Sequence, residues 1–315
     1  MNDKKNNFIE LKINREFGDI ISLYFDFFKT NIKKFTNIFL SYNGIFLIGL
    51  LIVSYLMVSG VFALVANNEN LFGSNFAANE QNSISYFVTG GILFFLIFIV
   101  VAILNYSLST AYMIKYEEKE GQNFDKSEVW GMVKNNMGNI IVFILIIILV
   151  FFGFMMLAAI LTFIPLVGMI AQYIIQYFFM AWVGVSFFAM LKEKAGVIEA
   201  LGEGWNLVSN NFWRAVGVNF ILGFLIGMLF LIVLMIPGIL IGIYTFHVVQ
   251  NNVELAGSIV PTIVYTLGTC VLLILMVYSQ CLSQFVNGIL YYSLHEKTHN
   301  LHTRSKIDQI GSSDL

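Results

Sequence analysis

Six long stretches without a single Asp, Glu, Lys or Arg dictate what this chain can become: residues 44–66, 86–114, 139–164, 166–191, 215–249 and 261–294. A helix that crosses a hydrocarbon layer about 30 Å thick needs roughly 20 mostly apolar residues, and each stretch is long enough. Barrel strands alternate polar and apolar over about ten residues, whereas these runs are continuously apolar. The expectation is therefore an all-α, polytopic integral membrane protein with six transmembrane helices. The chain is 58% hydrophobic and only 11% charged, where soluble domains carry about 25% charged residues.

Basic residues give the expected orientation. All 17 Lys and Arg fall in the N-terminal segment, in the linkers around Lys115–Lys134 and Lys192–Arg214, or in the tail from Lys297. With six spans these four regions share one side, and Lys and Arg mark the cytoplasmic side. A multi-pass membrane protein with both termini cytoplasmic is expected. The opposite loops hold only Glu69, Glu80 and Glu254 as charged residues. The N-terminal segment is charged and has no short apolar core before a small-residue cleavage site, so no cleavable leader is expected. Cys270 and Cys281 stand about three turns apart in one apolar run, too far to pair with each other.

A short pattern recurs before the odd-numbered spans: FDFFKTNIKK at 25, WGMVKNNMGN at 130 and WNLVSNNFWR at 205. Apolar residues at helical spacing, as in Val197, Leu201, Trp205, Val208 and Phe212, or Phe17, Ile21, Phe25, Phe28 and Ile32, predict amphipathic helices. Helices of this kind lie in the membrane interface, with Phe25, Trp130, Trp205 and Trp213 as anchors. Asn31, Asn136 and Asn211 fall where such a helix has to turn into the bilayer. Asn tolerates the left-handed conformation that closes helices, so these three are expected as structural elbows. The even spans also end alike, in YMIKYEEKEG, AMLKEKAG and YSLHEKTHN. The organisation expected is one membrane domain, 1–300, built of three tandem units (about 8–120, 121–194 and 195–300), each an interfacial helix plus a transmembrane hairpin. A flexible cytoplasmic tail, 301–315, follows.

Amides inside the spans must find partners, because an unpaired polar group in hydrocarbon is costly. Asn105, Gln172, Gln176, Gln280, Gln284 and Asn287 are therefore expected to face the bundle interior, either as interhelical hydrogen bonds or as the lining of a polar path. The fifth run contains Gly223-x-x-x-Gly227 and Gly238-x-x-x-Gly242 around Pro237. Small residues one turn apart allow close helix approach and proline bends a helix, so packing and a kink are expected there. At this length, 238–249 could alternatively be re-entrant.

REFGDIISLYFDFFKTNIKKF at 15, LGEGWNLVSNNFWRAVGV at 201 and Ile-Pro-Gly at 236 resemble the polytopic membrane domain attached to some bacterial glycerophosphoryl diester phosphodiesterases, and its stand-alone relatives. The resemblance implies a six-helix module of a bacterial inner membrane without known chemistry of its own. Stand-alone sequences of this appearance are sometimes labelled beta-carotene monooxygenases. The propeller-type enzymes of that class hold iron with four histidines. The four here are His247, expected at the outer end of the fifth span, and His295, His299 and His302, expected at the cytoplasmic side. Residues on opposite faces cannot share one ion, so carotenoid cleavage is the least favoured reading. His295 and His299 stand at i and i+4, which lets two imidazoles meet one metal, but solvated histidines near a charged terminus are the commoner outcome and no metal site is expected. No nucleotide-binding glycine loop or nucleophile elbow occurs, and the nearly balanced inner charge offers nothing to nucleic acid. No enzyme activity, catalytic residue, cofactor or nucleotide is expected. The function expected is that of a membrane scaffold, accessory subunit or lipid-interacting module, with membrane lipids and a protein at the cytoplasmic face as partners. The alternative is a transporter of small solutes or lipids that uses the amide-lined interior.

Overall fold

The structure is a computed structural model and describes residues 8–68, 76–122, 124–164, 167–250, 259–300, 303, 304 and 306. Among these residues the chain is all-α, with eight helices: α1 (Phe17–Asn68), α2 (Phe76–Glu118), α3 (Lys126–Asn135), α4 (Met137–Leu161), α5 (Val167–Glu193), α6 (Val197–Ser209), α7 (Phe212–Gln250) and α8 (Ile259–His299). Six of them are long and apolar enough to cross a membrane, and each coincides with one of the six uncharged runs. Their outward residues are apolar: Leu149, Met156, Leu231 and Ile236 each expose 70% or more of their surface. In water such exposure would forfeit about 1.5–3 kcal/mol per side chain; against lipid it costs nothing. The tail expected at 301–315 lies, apart from 303, 304 and 306, outside the described residues, as do His302, Glu69 and Glu254.

Helix α7 runs 39 residues through Pro237 without interruption, about 58 Å at 1.5 Å per residue. The re-entrant alternative for 238–249 is not what the chain does. A single proline forfeits one backbone bond, and the apolar residues on both sides have nothing better than helix to form in lipid. The first repeat also differs from expectation. α1 passes through Asn31 as one helix of 52 residues, so no separate interfacial helix precedes the first span. The apolar stripe is displaced as well: Ile20, Tyr24, Phe27, Asn31 and Phe35 are buried, while Phe25 is exposed. This helix is apolar on two faces, and the stripe read from the sequence is the less buried one, with Phe17, Ile21, Phe28 and Ile32 half-buried.

The chain divides into two compact units. Unit 1 comprises 1–38, 106–225 and 281–315; unit 2 comprises 39–105 and 226–280. All 17 Lys and Arg belong to unit 1 by sequence and none to unit 2. Unit 1 is centred on an aromatic cluster, with ring centroids 4.7 Å apart for Phe35 and Phe285, 5.1 Å for Phe27 and Tyr116, and 5.3 Å for Phe35 and Tyr112. Edge-to-face pairs of this kind add about 0.5–1.5 kcal/mol each beyond their burial. α3 opens on Asp125, whose carboxylate accepts from Glu128 N at 2.9 Å, satisfying one of the free amides of the first turn.

α6 is docked on α5. Val197, Ala200, Leu201, Gly204, Leu207 and Val208 are buried, and Trp182 Nε1 donates to Leu201 O at 3.0 Å. A Cβ on Gly204 would stand 2.8 Å from Ser186 Cα and N, so only glycine lets the two helices come this close. The stripe expected to face lipid is therefore largely covered by protein, and of its aromatic members Trp205 stays 47% exposed.

Unit 2 has its own close approaches. A Cβ on Gly60 would lie 2.8 Å from Phe87 N, and one on Gly90 3.1 Å from Met57, so α1 and α2 meet at glycines. Phe39 packs edge-on to Tyr278 at 5.0 Å, and Leu50, Val53, Val101, Leu273 and Val277 are buried. Gly227, Gly238 and Gly242, expected to mediate packing, have nothing within 4 Å of an added Cβ, and in unit 1 Gly223 has only an ordinary contact with Tyr177. Their neighbours Leu231, Ile232, Ile239 and Ile243 are outward-facing apolar residues. A small-residue pattern says nothing about which way its face is turned.

Candidate functional site

The three recurrent asparagines share one local geometry. Asn31 Nδ2 donates to Phe27 O at 2.9 Å, Asn136 Nδ2 to Met132 O at 2.8 Å and Asn211 Nδ2 to Leu207 O at 2.9 Å. Each amide thus satisfies a carbonyl of the preceding turn. Two also accept from the end of an even span in unit 1: Tyr112 OH donates to Asn31 Oδ1 at 2.8 Å, and Lys297 Nζ to Asn211 Oδ1 at 2.6 Å. Asn136 and Asn211 do stand at breaks, between α3 and α4 and between α6 and α7. None of the three is left-handed: among the described non-glycine residues only Glu120, Lys194 and Asn300 have positive φ, and Asn136 has φ −107°. At Asn136 and Asn211 the side-chain bond to the carbonyl four residues back takes the place of the left-handed closure expected from residue type; at Asn31 the helix does not close at all.

Asn105, Gln284 and Asn287 are fully buried. In unit 2, Asn43 Nδ2 donates to Asn105 Oδ1 at 3.1 Å, and Asn105 Nδ2 donates to Val277 O at 2.8 Å and Gln280 Oε1 at 3.1 Å. In unit 1, Gln284 Nε2 donates to Thr110 Oγ1 at 2.7 Å and Gly184 O at 3.3 Å, and Asn287 Nδ2 to Gln284 Oε1 at 3.3 Å. An added Cβ at Gly184 would fall 2.0 Å from Asn287 Nδ2, so that glycine makes room for the amide. Gln172 and Gln176 depart from expectation: the first is half-buried and the second exposed. The buried face of α5 runs through Phe178, Ala181, Trp182 and Val185, and Gln176 lies about 200° around the helix from Phe178. Asn43 was missed because it stands at the edge of its apolar run, where an amide reads as the end of a span.

The charged end of unit 1 is densely paired. Glu117 bridges Lys12 and Lys192, the latter at 3.0 Å. The N-terminal segment is strapped down by Ile9 N donating to Tyr116 OH at 2.8 Å and Arg15 N to Ser293 Oγ at 3.0 Å. Burial lowers the pKa of the Arg15 guanidinium, with Glu10 and Asp19 opposing the shift; an arginine stays charged through any such change. Phe25, Trp205 and Trp213, also of unit 1, are exposed, Trp213 at 72%, whereas Trp130 is half-buried. Lys115, Glu128, Met132, Asn136 and Lys194 help to line an open cleft of about 640 Å³.

Histidines at this end are engaged. Residues 295–299 read His-Glu-Lys-Thr-His on the last turns of α8, which is the H-E-x-x-H spacing. His299 Nε2 lies 2.9 Å from Glu203 Oε1 and His295 Nε2 3.3 Å from Glu193 Oε1. Nothing in the sequence placed Glu203, 92 positions from His295, beside them; only the docking of α6 does.

These features define an α-helical, multi-pass membrane protein whose buried amides are cross-linked between helices. No family model, no curated protein and no solved structure matches the chain.

Proposed function

We propose that this chain is a non-catalytic integral membrane protein of a bacterial inner membrane, with both termini in the cytoplasm, that serves as a scaffold, accessory subunit or lipid-interacting module. The observation that carries this reading is that Phe25, Trp205 and Trp213 are exposed in the same unit to which all 17 Lys and Arg belong by sequence. Aromatic side chains beside basic ones suit an interface with lipid headgroups on one hand and a docked protein on the other. The open cleft carries both signs of charge, Lys115 and Lys194 with Glu118 and Glu128, and Lys115 is already paired with Glu118 at 2.9 Å, so a mixed-charge protein surface suits it better than a purely anionic group. The resemblance to the stand-alone relatives of the phosphodiesterase membrane domain points the same way. We also take the common bonding of Asn31, Asn136 and Asn211 as support for an internal threefold repeat.

A transporter is the second reading. It rests on buried oxygens without a protein partner in unit 1, Asn287 Oδ1, Ser186 Oγ and Tyr292 OH, which a polar solute could use. The pairing of Asn105, Gln280 and Gln284 with other protein groups weighs against it. The two separate by purifying the full chain from native membranes in lipid nanodiscs. A stoichiometric protein partner or a reproducible enrichment of anionic lipid, absent from an untagged control, is expected. Solute-dependent flux in reconstituted vesicles, without either, would overturn the scaffold reading.

A further inference from the structure

We propose that the end of unit 1 holds a site for a late first-row divalent cation, zinc by preference, formed by His295 and His299 of α8 and Glu203 of α6. One ligand atom from each of these residues lies within 4.8 Å of the other two. The inference goes beyond the scaffold reading and does not depend on it.

Two imidazoles four residues apart on a helix point the same way one turn apart, and here the rings are 4.6 Å between centroids. The third ligand comes from a different helix, which fixes the site only when α6 is docked. His299 Nε2 and Glu203 Oε1 are 2.9 Å apart. In a tetrahedron with ligands about 2.0–2.1 Å from the metal, neighbouring ligand atoms are roughly 3.3 Å apart, so small side-chain rotations admit an ion. The three side chains are half-buried, between 22% and 37% exposed, so solvent reaches the cluster and can supply the fourth ligand.

Ligand chemistry selects the metal. Magnesium and calcium want six or more oxygens, whereas two imidazoles with one carboxylate suit zinc and its neighbours. A supporting layer is present too. Glu193 Oε1 lies 3.3 Å from His295 Nε2 and is itself fixed by Tyr291 OH at 2.6 Å, an arrangement that leaves the other ring nitrogen, Nδ1, as the one to meet the ion. Carboxylate partners of this kind orient metal-bound imidazoles. Glu296, inside the same motif, is turned to other work: its Oε1 accepts from Thr303 N at 2.9 Å and from Thr303 Oγ1 at 2.7 Å. The cluster is thus proposed to bind metal, with no role as a hydrolytic base assigned to Glu296. Its effect would be mechanical: the ion pins α6 to the end of α8.

The test uses the full chain, purified in detergent with a tag that contains no histidine and stripped with chelator. Cobalt(II) alone is titrated as the spectroscopic stand-in for zinc. One equivalent is expected to give the intense visible absorption of four-coordinate cobalt, and added zinc should bleach it while millimolar magnesium should not. His295→Gln, His299→Gln and Glu203→Gln should each weaken binding by about tenfold or more, while His247→Gln leaves it unchanged. Equal binding in all four variants, or no absorption in any, would overturn the proposal. Because a variant could fail to fold, a second measurement uses only the unaltered protein. Zinc should protect His295 and His299 from an imidazole-acylating reagent, read by mass spectrometry, and lack of protection counts against the site.

Discussion

Replacing Gly204 by alanine tests how α6 is held. The new methyl would stand 2.0 Å from Ser186 Oγ and, more seriously, 2.8 Å from Ser186 Cα and N. A rotamer change clears the hydroxyl, but backbone atoms cannot step aside, so α6 has to lift from α5. Overpacking of this kind costs about 1–3 kcal/mol. Lifting also breaks the bond from Trp182 Nε1 to Leu201 O, and an orphaned buried donor costs about 1–3 kcal/mol more. The two effects overlap, so a total of about 2–4 kcal/mol is expected, or a fall in Tm of roughly 4–12 °C for a chain of this size. Differential scanning fluorimetry in detergent reads the shift, and tryptophan emission should move to the red as Trp182 and Trp205 lose contact. Ser186→Gly in the same chain should rescue little, because the clash with the Ser186 backbone remains. A Gly204→Ala protein with unchanged Tm and emission, or full rescue by Ser186→Gly, would refute the reasoning.

Asn31→Leu removes the acceptor of Tyr112 OH and should destabilise by about 1–3 kcal/mol; in a double-mutant cycle with Tyr112→Phe the losses should fall well short of additive, and strict additivity would mean that the 2.8 Å bond contributes nothing. Asn105→Leu strands Asn43 and Gln280 and should lower stability in detergent by about 1–2 kcal/mol, whereas Gln176→Leu, on an exposed face, should be neutral or stabilising. A reporter active only outside the cytoplasm, fused to the C-terminus, should stay inactive; activity there would reverse the orientation inferred from the basic residues.

Length and hydropathy made the six spans legible, because a run of 20 or more apolar residues has few ways to be folded in lipid. Which face of each helix is inward was legible only where polarity differs between faces. Gln284 and Asn287 were found this way, since an amide inside an apolar run has to be partnered. Gln176 was misjudged because the same logic, applied to α5, ignores that Phe178 and Trp182 set its inward face. Gly184, Gly204 and Gly60 went unnoticed, while Gly227, Gly238 and Gly242 stood out by spacing alone: close approach is a property of two helices, and a pattern records one. The His295, His299 and Glu203 cluster was half-readable, as the histidines share a helix and the glutamate arrives through tertiary packing.

Residues 8–16 stand ahead of the first helix, α1. In the folded chain they are a strap: Tyr116, Glu117 and Ser293 all take their partners from it. Anyone shortening the protein for study should therefore cut ahead of Phe8. A start placed at the beginning of α1 would take Ile9 from the Tyr116 phenol and Arg15 from the Ser293 hydroxyl, and leave the Glu117 carboxylate to Lys192 alone.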